Sequence, residues 1–188
     1  MSLLAFCEWL AATNGSTALR ESLYMYPLVE SAHVMFLLLF VGLTVIWDLR
    51  LLGLALTQIP VTEMNDRILP MVRWGFAVMV FTGGLLFYGI PVRTYQSVWF
   101  RGKMIFLILA SLNIWYFHYR LLPNAAPWDR DARLPWPVRR AGAASLILWA
   151  LVIVFGRFIA YNWFDCDIQP HPAIVNWFAG CVVPAINQ

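Results

Sequence analysis

The chain has 188 residues, of which 61% are hydrophobic and only 12% charged; its mean hydropathy is +0.68 and its formal net charge +3. Soluble domains are about 45 to 50% apolar and about 25% charged, so the composition excludes an ordinary soluble protein and points to an integral membrane one. A hydrocarbon core about 30 Å thick takes roughly 20 apolar residues per helix, which leaves room for several spans and short loops but no separate soluble domain.

In chain order, the opening "MSLLAFCEWLAATNGS" lacks the basic start of a signal peptide and contains Glu8. It is expected to form an interfacial helix over residues 1–15 that lies on the membrane surface and ends in an Asn14-Gly15 turn. Ser16 or Thr17 is placed to cap the next helix, and Pro27 to kink it at the bilayer entry. Four segments pass the length test for transmembrane helices: 28–52, 72–90, 103–122 and 141–164. The second is the cleanest, with Trp74 to Val92 uncharged between Arg73 and Arg93. Pro60, Pro70, Pro91, Pro123, Pro127, Pro135 and Pro137 are all expected between spans. Residues 165–188 form an extramembrane tail. The fold expected is all-α, a single membrane domain over 1–188 built as an up-down four-helix bundle.

The loops orient the bundle. The first and third connections with their flanks carry Arg50, Arg67, Arg73, Arg120, Arg130, Arg133, Arg139 and Arg140; the other side carries Arg20, Arg93, Arg101 and Lys103. By the positive-inside rule the first and third connections are cytoplasmic. Both termini then face the periplasm of a bacterial inner membrane. Cys7, Cys166 and Cys181 all fall on that oxidising side, where Cys166 and Cys181 can either pair or stand as free thiols.

The stretch "YPLVESAHVMFLLLFVGLTVIW" carries Glu30 and His33 at the mouth of an oily run. Three residues apart, they share a helix face. Lys103 opens the third span from the same side, and Arg157 lies seven residues before the expected end of the fourth, so all four fall in one leaflet. Ionisable groups within spans are rare; they pair or mark functional sites. The plainer reading has Glu30 and Arg157 neutralising each other while Lys103 snorkels. His118 sits roughly 20 Å deeper than His33 at the helical rise, so one haem cannot use both. His118 is expected at the cytoplasmic boundary with its ring tip reaching water or headgroups. His171, in "DCDIQPHPAIV", is on the outer tail.

The runs "YPLVESAHVMFLLLFVGLTVIWDLRLLG", "RWGFAVMVFTGGLLFY" and "KMIFLILASLNIWYFH" together resemble an uncharacterised family of small four-span bacterial inner-membrane proteins. More distantly, "SAHVMFLLLFVG" is similar to the copper-resistance D membrane proteins and the haem-binding membrane protoporphyrinogen oxidase. The latter resemblance implies a haem site at His33 and Lys103.

Three function classes follow. The first is a membrane-embedded haem b protein for one-electron transfer at the outer face, not an enzyme on its own, with His33 as ligand, Glu30 beside it, and Lys103, Arg157, Arg93 and Arg101 as charge partners for propionates. Gly42, Gly75, Gly83, Gly84 and Gly89 are available for close approach of a macrocycle, or for ordinary helix packing. The second is a copper- or zinc-handling protein with Glu30 and His33, completed by Asp165, Asp167 and His171. The third is a cofactor-free accessory subunit that packs against other membrane or periplasmic subunits. No nucleotide-binding or hydrolase motif is present in the sequence, and "WDRDARLPWPVRR" reads as a topology determinant rather than a nucleic-acid site.

Overall fold

A computed structural model of the chain describes residues 2–161, 163–166 and 169–181. Every regular element among them is helical. Two short helices come first, α1 (Leu3–Ala11) and α2 (Asn14–Glu21). Ser2 caps α1 by accepting from the Ala5 amide at 3.2 Å, and Thr13 caps α2 by accepting from the Ser16 amide at 3.4 Å. The expected interfacial helix is the shorter α1; the next helix, expected to run from a cap at Ser16 or Thr17 through Pro27, is instead broken into α2 and α3, and Asn14-Gly15 lies in the first turn of α2 rather than in a turn between helices. The cap at Thr13, one residue earlier, accounts for the difference. Thr13 also meets the Tyr88 hydroxyl at 2.8 Å, and the Ser16 hydroxyl donates to the Tyr88 carbonyl at 2.7 Å. These bonds fix the N-terminal helices to the end of the second span.

The four spans are α3 (Met25–Leu52), α4 (Val61–Gly89), α6 (Val98–Tyr116) and α7 (Trp136–Phe158), with the short α5 (Pro91–Tyr95) between the second and third. The third span continues through a π-helical turn at Phe117–Leu121 and a 3-10 turn at Leu122–Asn124. All four are long and apolar enough to cross a membrane. At 1.5 Å per residue the 28 residues of α3 reach about 42 Å, so its ends extend beyond the hydrocarbon core. Their outward side chains, among them Leu38, Phe81, Ile108 and Ile147, are exposed, as lipid-facing residues are. The chain is a four-helix multi-pass membrane protein.

All four spans start earlier than composition suggested; in α4 this is because the polar first turn with Thr62-Glu63 is helical outside the oily core. The fourth ends earlier: α7 stops at Phe158, not at residue 164, and Phe164 takes a left-handed backbone, φ 64°. Pro70 is inside α4, not between spans, and Pro137 is in the first turn of α7. Pro27 is the third residue of α3, where its missing amide would have no intrahelical partner anyway.

Neighbouring spans pack in the order α4, α3, α7, α6; α4 and α6 form no comparable interface. They do meet at one rim, where the Phe87 and Phe100 rings lie 5.6 Å apart. Phe40, Ala110, Trp149 and Val152 make a core cluster, with the Phe40 and Trp149 rings edge to face at 4.7 Å. A second cluster, Leu51, Val61, Phe117, Leu134, Val138 and Ala141, lies at the arginine-rich end.

That end is closed by a polar knot. Arg50 has no exposed surface; its Nε donates to the Ile59 carbonyl at 2.8 Å, and one terminal nitrogen donates to the carbonyls of Asp129 and Asp131, each at 3.3 Å. The Asp129 carboxylate accepts from the Thr62 amide and hydroxyl, both at 2.8 Å, and so caps α4 from a distant loop. Gly53 ends α3 in the left-handed region, φ 75°, and a side chain there would strike the Ala132 carbonyl. Replacing Arg50 by Ala is predicted to destabilise the protein by about 3 kcal/mol, since three loop carbonyls lose their donor. Thermal unfolding in detergent measures it, and an unchanged midpoint would contradict the role of the knot.

Candidate functional site

His33 lies on α3 facing α4. Its Nδ1 is 2.8 Å from the Thr82 hydroxyl, which itself donates to the Val78 carbonyl, also at 2.8 Å. With the hydroxyl hydrogen on Val78, Nδ1 carries the proton and donates, and Nε2 is left with a free lone pair. No hydrogen bond to Nε2 occurs among the described residues. The ring also packs on Gly83, where an added Cβ would come within 3.3 Å of it. A hydrogen bond of this kind on one ring nitrogen fixes the orientation of an imidazole.

Lys103 shares this region and its charge acts on His33. It does not open the third span as expected; it lies five residues inside α6, about 7.5 Å from its start. Its side chain is half-buried along α7, with Nζ 3.6 Å from where a Cβ on Gly156 would stand. Among the described residues it makes no ion pair.

The other sequence candidates are not drawn into this cluster. Arg157 is in the last turn of α7, exposed, with its guanidinium 5.2 Å above the Tyr161 ring. Its expected depth of seven residues is overturned because α7 ends at Phe158. Glu30 is exposed and forms no ion pair with Arg157 among the described residues, so mutual neutralisation does not explain either charge. Arg93 and Arg101 hold the tail instead. Arg93 pairs with the buried Asp165 carboxylate at 3.1 Å, and Arg101 donates to the carbonyls of Tyr95 at 3.1 Å and Phe178 at 2.7 Å. Of the five glycines, Gly75, Gly83 and Gly89 face Phe40, His33 and Tyr26, while Gly42 and Gly84 border open space.

Among the described residues the tail assembles no metal site. Asp165 is engaged with Arg93, the His171 Nε2 donates to the Asp165 carbonyl at 3.0 Å, and Asp167 lies outside the described residues. No group of three His, Cys, Asp or Glu side chains that could hold a metal occurs among the described residues. Cys166 and Cys181 form a disulfide, with Cα atoms 5.3 Å apart, which ties α8 (Ala173–Ala179) to the end of the bundle. Cys7 is free and buried, and burial raises its thiol pKa, so it is the less reactive protonated form that persists near neutral pH.

His118 is corrected most sharply. It does not reach out to water or headgroups: it sits in the π-helical turn, its Nδ1 donates to the Ile114 carbonyl at 3.0 Å, and its Nε2 is buried without a partner. It lines a cavity with Asp48, a residue inside the expected first span to which sequence reasoning gave no role. The signal for Asp48 was the spacing Thr44, Asp48, Leu51, one helix face leading inward. Thr82 had no signal of its own.

Serine at both Cys166 and Cys181 is predicted to loosen the tail, by roughly 3 kcal/mol for a fifteen-residue closure. Limited proteolysis should then cut near α8 while the helical content of the spans stays unchanged. Unaltered protection of the tail would contradict this.

No curated protein and no solved structure matches the chain at a significant level, so neither comparison returns a copper-resistance protein or a haem-binding oxidase. One family model does match, over residues 15–162, which takes in all four spans, His33, Thr82, Lys103, Asp48 and His118. The chain therefore belongs to a family of unknown function (DUF6644).

Proposed function

We propose that the protein is a haem b carrier of a bacterial inner membrane, with both termini periplasmic, exchanging single electrons at the outer face as a component of a larger complex. The observation that carries this reading is the orientation of His33. Thr82, fixed on Val78, holds Nδ1–H and leaves Nε2 as a neutral donor atom within the bundle. Two further features fit the group. Lys103 is a half-buried ammonium with no acidic partner among the described residues, and it would either compensate a propionate or serve as a second ligand. The seam between α4 and α6 is unpacked below the Phe87–Phe100 contact, and Gly84 borders open space.

In this reading His33 would hold the iron and Lys103 would compensate charge. Arg157, at the surface, would act on the approach of an anionic or electron-donating partner. Glu30, exposed one turn before His33, is assigned the same surface role. The bound haem would supply reversible one-electron redox chemistry; the chain's own contribution is to orient the imidazole and exclude water. The copper or zinc alternative has less support, since no group of three His, Cys, Asp or Glu side chains that could hold a metal includes His33 among the described residues.

Purified protein is predicted to show a Soret band that His33→Ala removes and His118→Ala retains. Equal haem content in wild type and His33→Ala would overturn the proposal. The orientation is tested separately by a cysteine introduced in the Pro123 to Pro137 connection of a Cys7→Ser protein: an impermeant thiol reagent added to intact cells should leave it unlabelled. Labelling from the periplasm would reverse the topology.

A further inference from the structure

The arginine-rich half of the bundle holds a partly open cavity of about 80 Å3, lined by residues of both core clusters and by side chains from all four spans. Its polar lining is Thr44 and Asp48 from α3, Asn65 from α4, Asn113 and His118 from the third span, and Ser145 from α7. Apolar bundles rarely gather so many polar side chains at one level without use for them.

The hydrogens of this lining are largely committed elsewhere. The Thr44 hydroxyl donates to the Phe40 carbonyl at 2.8 Å, the Asn113 amide to the Ala141 carbonyl at 2.9 Å, and the Asn65 amide to the Asp66 carboxylate at 3.2 Å. The His118 Nδ1 donates to Ile114, which leaves Nε2 as a lone pair, buried and unpartnered. Asp48 is 1% exposed, and its Oδ2 is likewise buried with no partner. The Ser145 hydroxyl faces its carboxyl group, but no cationic side chain pairs with it among the described residues. Each amide keeps one further hydrogen; the other polar atoms are acceptors and one carboxylate, set into a wall that is mainly apolar.

An unpartnered carboxylate in such a place is costly, and removal of a counter-charge leaves a penalty of several kcal/mol in general. Phe40, Trp47 and Phe117 form aromatic walls around it. A carboxylate, several acceptors and aromatic faces together favour a compact cation that donates hydrogen bonds. We propose that this cavity binds a small primary ammonium ion, with Asp48 as its counter-charge and His118 Nε2 and the Asn113 carbonyl oxygen as acceptors. The volume suits a ligand of two or three heavy atoms, a water occupying about 30 Å3 of liquid. The proposal does not rest on the haem reading: His33 and Lys103 lie toward the other end, Asp48 being fifteen residues from His33 on α3, about 22 Å away.

Isothermal titration of the wild-type protein in detergent with methylammonium chloride tests the proposal, with tetramethylammonium chloride and sodium chloride as comparisons. Saturable binding of methylammonium is expected, with tetramethylammonium, which has no hydrogens to donate, at least about tenfold weaker. Asp48→Asn should lower the methylammonium affinity by about tenfold or more, and His118→Phe should lower it as well. No saturable binding at millimolar methylammonium would overturn the proposal; it would leave Asp48 neutralised by a proton alone. Equal affinity for tetramethylammonium would overturn it too, since aromatic contact would then suffice. So would full affinity in folded Asp48→Asn protein; should that variant not fold, unchanged affinity in His118→Phe decides against the acceptor role.

Discussion

A guanidinium with no exposed surface has to be held where it lies, and Arg50 donates from Nε and one terminal nitrogen to backbone carbonyls of two different loops, its other terminal nitrogen having no partner among the described residues. That requirement positions much of the arginine-rich end. It draws the connection after α3 and the connection before α7 onto the same helix end, which brings Asp129 to the start of α4, where it caps Thr62. Gly53 lets the chain turn against Ala132 without a side chain in the way. The ends of three spans are thereby held in register, and the cavity above them is lined by Leu51, Phe117 and Ala141, which also belong to the core cluster at that end.

From this anchor α3 carries its polar residues along the bundle. It packs on α4 on one side and on α7 on the other, whereas α4 and α6 leave a seam between them. Asp48 and Thr44 therefore look into a cavity shared by all spans, and His33, four turns further on, meets Thr82 of α4. At the disulfide end the same logic of satisfied charge operates on the tail: Arg93 with Asp165, Arg101 with the carbonyls of Tyr95 and Phe178. The arginines there are structural ties, and Lys103 is left as the half-buried cation near His33.

How much of this was legible in the sequence depends on the range of the interaction. The four spans and their up-down order follow from composition and helical spacing, which are local properties; so does the presence of His33 and Lys103 as ionisable groups within spans. Span ends were misjudged where helix continues through charged turns, as at Thr62-Glu63, and where an apolar run stops being helical, as after Phe158. Arg157 was placed too deep for that second reason. His118 was read as a boundary residue because it stands at the end of an oily run, and Asp48, inside the expected first span, was given no role. Only the packing of four helices shows that both turn inward. Thr82 was invisible for a similar reason: a lone threonine in a span commonly bonds to its own helix, and it does so here while also receiving His33 from another.

The account turns on the tautomer of His33, because a ligand role requires Nε2 to be free. Nitrogen-15 spectra of histidine-labelled protein in bilayers, freed of any cofactor and assigned by the signals lost in His33→Ala, report the protonation of each ring nitrogen. The structure predicts that in His33 Nδ1 carries the proton, hydrogen-bonded to Thr82, and that Nε2 does not. A proton on Nε2, with Nδ1 accepting from Thr82, would contradict it.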